Sequence, residues 1–72
     1  MMFSLALEWL RDGMKVRRKA WKSMGTWIRI SKPSEHSIVT EPFIVMRTSN
    51  DELLPWAAAH SCLLANDWEI VD

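Results

Sequence analysis

The stretch that decides the fold is SLALEWLRDG, residues 4–13 of a 72-residue chain. Its leucine, alanine and tryptophan residues recur four positions apart, which places them on one stripe of a helix. Ser4 is suited to cap the first turn, and Gly13 can adopt the left-handed conformation that ends a helix. The stretch therefore predicts an amphipathic helix over about residues 4–12.

The segments after this helix have the composition of short strands. They are rich in β-branched and aromatic residues, and turn-forming residues such as Asn50 and Asp51 separate them. A short second helix is expected within residues 58–65. These patterns predict an α+β fold, a small, largely antiparallel sheet wrapped around the N-terminal helix, as a single domain over residues 1–72. The expected strands are Met14–Arg18, Thr26–Ile30, Phe43–Thr48, Leu53–Leu54 and Trp68–Val71, with a polar loop at Ser31–Ser37 that includes His36, a brief pairing at Ile38–Val39 and a turn at Ser49–Glu52.

The composition limits the ways in which so short a chain can be stabilised. A domain of this length buries only about 60% of its unfolded surface. Cys62 is the only cysteine, which excludes an intrachain disulfide, and no Cys/His spacing matches a metal site. Five tryptophans and no tyrosine favour oligomerisation, because indoles are enriched at interfaces and in ligand pockets. We therefore expect a homodimer or homotetramer that holds no metal or cofactor.

The charge is zero overall but unevenly divided. Residues 1–36 contain eight Lys/Arg and three Asp/Glu, whereas residues 37–72 contain one Arg and six Asp/Glu. This division argues against a direct nucleic-acid binder, whose whole footprint would be basic. No apolar run approaches the about 18 residues of a membrane span, and the single cysteine with no signal peptide indicates a cytoplasmic setting.

A basic segment, RRKAWKSMGTWI at residues 17–28, is the main candidate for a binding site. Its indole, Trp21, offers a stacking face, and Arg18 and Lys19 can neutralise phosphate. This combination suits a planar, negatively charged ligand. The alternative is a solvated basic turn between two strands, with Trp21 packed in the core.

Catalysis has little support in the sequence. His60, Ser61 and Cys62 offer a base and nucleophiles, but residues two apart on a helix do not face each other, and no carboxylate follows at a useful spacing. The protein is therefore expected not to be an enzyme, with Cys62 acting as a small buried hydrophobe. Asp67 is expected to cap the turn before the last strand. Glu69 is expected to be solvated or paired with a neighbouring subunit.

An ordered set of short motifs lies along the chain: Met-x-Phe at the start, Ala6-Leu7-Glu8, Gly13, Lys15–Trp21, Gly25, Met46-Arg47-Thr48, Pro55-Trp56 and Leu63–Glu69. This set resembles one phage family, the second kind of Thoeris anti-defence protein. The motifs cover both ends of the chain, and the middle of the chain does not share them. Two departures from the family pattern stand out: a short loop at about Ser31–Glu41, and Cys62 where the family has an acid that could bind ribose hydroxyls.

The resemblance implies a non-catalytic sponge in the host bacterial cytoplasm. Family members are oligomers, typically tetramers, that sequester the cyclic ADP-ribose-type signal of bacterial TIR-domain enzymes, and some hold cyclic oligonucleotides of the CBASS pathway. Trp21 matches the family tryptophan that stacks on the ligand. One branch was described as an anti-CRISPR, so the alternative is an inhibitor that binds a Cas protein; an orphan structural protein without a ligand is a third interpretation. The expected ligand-binding residues are Trp21, Arg18, Lys19, Trp56, His60 and Ser61.

Overall fold

The computed structural model describes residues 1–31 and 41–71. Its five strands form one sheet in the order β4-β3-β2-β1-β5, and every neighbouring pair is antiparallel. With an N-terminal helix and a short second helix, this arrangement confirms the predicted α+β fold. In chain order, the elements are α1 (Phe3–Arg11), β1 (Val16–Arg18), a 3-10 helix (Lys19–Met24), β2 (Trp27–Ser31), β3 (Phe43–Arg47), β4 (Leu53–Pro55), α2 (His60–Leu63) and β5 (Trp68–Ile70).

The predicted elements lie close to their expected positions. Ser31 was expected to begin a loop, but it is the last residue of β2, where it pairs with Phe43. The expected pairing of Ile38 and Val39 and the position of His36 lie outside the described residues. No helix within the described ranges is long and apolar enough to cross a membrane.

The start of α1 differs from the sequence prediction. Met2, rather than Ser4, is the N-cap, and no side chain caps the first turn. The amino group of Met1 donates to the carbonyl of Asn66, and the Met1 carbonyl accepts the backbone N–H of Trp68 at 3.1 Å. These bonds fix the chain just before Met2, so the helix begins as soon as the chain leaves the sheet. A tertiary contact therefore decides a boundary that the capping pattern placed later.

The end of α1 agrees with the prediction. Gly13 has a φ of 86° and lies directly after the C-cap residue Asp12. The N–H of Gly13 donates to the carbonyl of Leu10 at 3.0 Å, and the next N–H donates to the carbonyl of Trp9 at 3.0 Å. This pair of bonds is the Schellman arrangement, which satisfies carbonyls that the helix itself leaves unpaired.

The core lies between α1 and one face of the sheet, where the helix packs on β5, β1 and β2. Val16 pairs with Ile28, and Ile28 pairs with Met46, so their side chains share the face that the helix covers. Burial is nearly complete at the centre, where each residue is at most 1% exposed. The buried cluster consists of Ala6, Leu10, Val16, Ile28 and Trp68.

Two turns carry left-handed residues. In the β3–β4 turn, Asp51 has a φ of 63°, which confirms the expectation for Asn50-Asp51. One interpretation of the basic segment was a turn between two strands; its central part, Lys19–Met24, instead forms the 3-10 helix, which ends at Gly25 with a φ of 67°. Arg47 connects the two turns: its Nη1 donates to the Gly25 carbonyl at 2.7 Å, and its Nε donates to the Asp51 carboxylate at 2.9 Å.

Candidate ligand-binding site

An aromatic cluster surrounds Trp68 at the end of the sheet where β1 meets β5. Trp21 and Trp56 approach Trp68 edge-on, with ring centroids 5.3 and 6.0 Å away. Phe3 lies 5.1 Å from the same ring. Trp21 and Trp56, which the sequence predicted as site residues, thus both pack on Trp68. The sequence placed Trp68 on one face of a strand. The alternation of Trp68 with Ile70 predicted its strand position, but no sequence signal showed that the other rings would meet there.

Trp68 is held by a polar contact as well as by packing. Its side chain is 1% exposed, and its indole Nε1–H donates to the carbonyl of Cys62 at 3.0 Å. Because a buried indole N–H needs an acceptor, this bond fixes α2 against the aromatic cluster. The short helix that carries His60 and Ser61 is therefore anchored to the same site as Trp21.

Trp21 has features of both interpretations that the sequence left open. Its ring packs on Trp68 in a T-shaped arrangement, but the residue is half-buried rather than part of the fully buried core. It lies in the middle of the 3-10 helix, between the exposed residues Lys19 and Lys22. A partly exposed indole that packs against another ring, with cations close to it in the chain, is suited to stacking on a planar anion.

Arg18 forms an ion pair with Asp67. Its Nε lies 2.8 Å from the Asp67 Oδ1, and its Nη1 lies 3.8 Å from the Cys62 Sγ. The hydrogen bond to Asp67 raises the pKa of Arg18, and the hydrogen bond from Arg18 lowers the pKa of Asp67 against the opposing effect of burial. The sequence predicted a turn cap for Asp67, and the structure shows it paired with Arg18 of β1. Cys62 is half-buried and packs against the core cluster, with its Sγ also near the Arg18 guanidinium.

The remaining predicted residues are exposed. Lys19 follows Arg18, and its backbone N–H donates to the Asp67 carbonyl at 3.0 Å. His60 and Ser61 lie on the first turn of α2. Across residues 1–31 and 41–71 there is no enclosed pocket and no group of metal-binding side chains. The site is therefore a surface rather than a cavity.

Glu69 lies on the opposite face of the sheet. Its carboxylate is 3.6 Å from the Arg17 Nη2 of the same chain. The expectation that Glu69 would be solvated or paired with another subunit is wrong, because β5 pairs with β1 and places the two residues directly across from each other. The nearby Trp27 carries Lys15 over its ring at 4.5 Å.

The fold and this surface define a small α+β protein with a basic, tryptophan-rich end. Comparison with known proteins identifies its relatives. The Thoeris anti-defense 2-like domain matches residues 1–71. Thoeris anti-defense 2 of Bacillus phage SP01 is 30% identical over 84 residues, which cover 99% of this chain and 94% of that protein. The chain belongs to the Thoeris anti-defense 2-like family.

Family membership confirms the resemblance seen in the sequence motifs and supports a phage role against the Thoeris defence. The match to the phage SP01 protein extends over 84 residues, more than the 72 of this chain. The relative therefore contains residues that this chain lacks.

Proposed function

We propose that this protein counters the Thoeris defence by sequestering a cyclic ADP-ribose-type signal without converting it. The observation that carries the proposal is Trp21, a half-buried indole that is braced by Trp68 and flanked by cations in a member of this family. Stacking of a base on an aromatic ring contributes about 1–3 kcal/mol. A ring already fixed in place loses little conformational entropy when a ligand binds.

The polar groups around Trp21 supply the rest of the proposed binding. Arg18 shares its charge with Asp67, so we assign phosphate neutralisation mainly to the exposed Lys19, with Arg18 contributing its remaining N–H groups. His60 and Ser61, exposed on α2, are the proposed contacts to the ribose hydroxyls. Trp56, held edge-on against Trp68, forms the far side of the aromatic surface.

We propose that a second subunit completes the site, in a homodimer or homotetramer. The described part of one chain offers a surface rather than a pocket, whereas small ligands are usually enclosed on most sides. Exposed apolar side chains lie near α2, with Leu64 85% exposed and Met2 68% exposed. Burying these groups against another copy would stabilise the assembly through the hydrophobic effect.

A sponge requires affinity and abundance rather than turnover. Cyclic di- and trinucleotides share the stacking and phosphate chemistry of cyclic ADP-ribose, so they belong in the same ligand panel.

Calorimetric titration with cyclic ADP-ribose isomers and these cyclic nucleotides tests the proposal. Trp21→Ala should weaken binding of the isomer that the unsubstituted protein binds by about 5- to 150-fold. Trp27→Ala is the matched control, because Trp27 is also half-buried but lies on the opposite sheet face beside Lys15. Its affinity should match that of the unsubstituted protein.

Two outcomes would contradict the proposal. In the first, the unsubstituted protein binds no member of the panel. In the second, Trp21→Ala remains folded and binds as tightly as its parent. Chromatographic recovery of the ligand unchanged after incubation checks that the protein does not convert it.

A further inference from the structure

Asp67 contacts two consecutive residues, Arg18 and Lys19, where the chain enters the 3-10 helix. Its carboxylate accepts the Arg18 Nε at 2.8 Å, and its main-chain carbonyl accepts the N–H of Lys19 at 3.0 Å. One residue thus fixes the chain immediately before Trp21 through both its side chain and its backbone.

The next residue along β5 continues the same contact. Trp68 packs against Trp21 in a T-shaped arrangement, with ring centroids 5.3 Å apart. The dipeptide Asp67-Trp68 therefore makes polar contacts with Arg18 and Lys19 and an apolar contact with Trp21. Register explains this match, because Arg18 is paired with Trp68 in the β1–β5 ladder.

The 3-10 helix depends on such external support. Hydrogen bonds in 3-10 helices are poorly aligned, and runs beyond three or four residues are uncommon, whereas this helix has six. No side chain of its own caps its start at Arg18. At its other end, Arg47 binds the Gly25 carbonyl at 2.7 Å.

We infer that Asp67 is a positioning residue of the proposed ligand site, holding the start of the 3-10 helix so that Trp21 keeps its T-shaped contact with Trp68 and stays partly exposed. This inference rests on the proposed function, because it gives Trp21 its role. Asp67 itself contacts no ligand in this account.

The effect of replacing Asp67 on ligand affinity distinguishes this positioning role from a purely electrostatic one, because the two roles predict changes of opposite sign. If Asp67 only neutralised Arg18, its removal would free a cation beside the phosphate site and increase affinity for an anion. If Asp67 positions Trp21, its removal should weaken binding even though the local charge becomes more positive. The sign of the change therefore separates the two roles.

The test compares Asp67→Asn with Glu69→Gln. Both substitutions replace a half-buried, ion-paired carboxylate with an amide, and the two residues lie two positions apart, with side-chain exposures of 27% and 29%. With the cyclic ADP-ribose isomer that the unsubstituted protein binds, Asp67→Asn should lose about tenfold in affinity. Glu69→Gln should bind as its parent does.

Amide hydrogen exchange gives a second measurement that needs no ligand. In Asp67→Asn, the amides of residues 19–24 should exchange about tenfold faster while the β2–β3 amides keep their rates. A purely stabilising role would accelerate exchange throughout the sheet. Unchanged exchange in residues 19–24, or tighter binding by Asp67→Asn, would overturn the inference, whereas a panel with no ligand for the unsubstituted protein would contradict only the proposed function.

Discussion

Arg18 and Asp67 lie 49 residues apart in the chain, and their side chains meet at 2.8 Å. Both side chains are about three-quarters shielded from solvent, at 22% and 27% exposure. A charge-assisted hydrogen bond in such a setting stabilises the folded state by about 1 kcal/mol, less than a fully buried pair because solvent screens it.

This pair predicts a specific acid sensitivity. Arg18 holds the pKa of Asp67 below its ordinary value of 3.8, so the pair stabilises the fold fully above that pH and loses this contribution as pH falls through the lowered pKa. The difference in melting temperature between the protein and Asp67→Asn should be constant near neutrality and shrink below about pH 4. Arg18→Gln, which removes the partner, should show the same pattern. A difference that persists undiminished to pH 2 would contradict this assignment.

Candidate site residues could be selected from the sequence by residue type, whereas their partners in the fold could not. Trp21 and Trp56 stood out by residue type, and both reach Trp68. The sequence could not identify Asp67 as the ion-pair partner of Arg18. That contact depends on the pairing of β5 with β1, and no local sequence pattern specifies which strands are neighbours. The same pairing explains the wrong expectation for Glu69.

At the scale of elements, two left-handed glycines end the helical segments under different constraints. Gly13 has open space where a Cβ would lie, whereas a Cβ on Gly25 would lie 3.2 Å from the Arg47 Nη1. Gly13→Ala should therefore lower the free energy of unfolding by about 1 kcal/mol, through backbone strain alone. Gly25→Ala should lower the free energy of unfolding by about 2 kcal/mol, because it also disturbs the hydrogen bond from Arg47 to the Gly25 carbonyl.

Chemical denaturation of the two glycine variants measures this difference. Gly25→Ala combined with Arg47→Met provides the control, since removing the guanidinium should reduce the additional cost of the alanine. Equal destabilisation by the two single substitutions would show that the Arg47 contact contributes nothing at Gly25.

Element boundaries were predictable where local chemistry determines them. The end of α1 at Gly13 and the turn at Asp51 both follow from the tendency of these residue types to adopt positive φ angles. Two other features depend on contacts with residues 66–68. Local patterns placed the start of α1 incorrectly, and they left the conformation of the basic segment open.

At the scale of the whole molecule, the exposed apolar side chains predict assembly. Leu64, Met2, Met1 and Leu53 are each more than half exposed. Multi-angle light scattering at micromolar concentrations should give the mass of a dimer or tetramer, because one chain of this size leaves too much apolar surface in water. A monomer mass at all of these concentrations would contradict a ligand site formed between subunits. Any ligand would then have to bind to one chain alone.

The strand order also determines how the protein reaches its folded state. Strands β2, β3 and β4 pair with their neighbours in sequence, whereas β5 must return to β1, and Met1 bonds Asn66 across 65 residues. Closing that loop costs chain entropy before any burial offsets it, so the last ladder should limit the folding rate. Until β5 arrives, α1 lacks Trp68 to pack against. A newly made chain is therefore vulnerable to proteases until its last strand has docked.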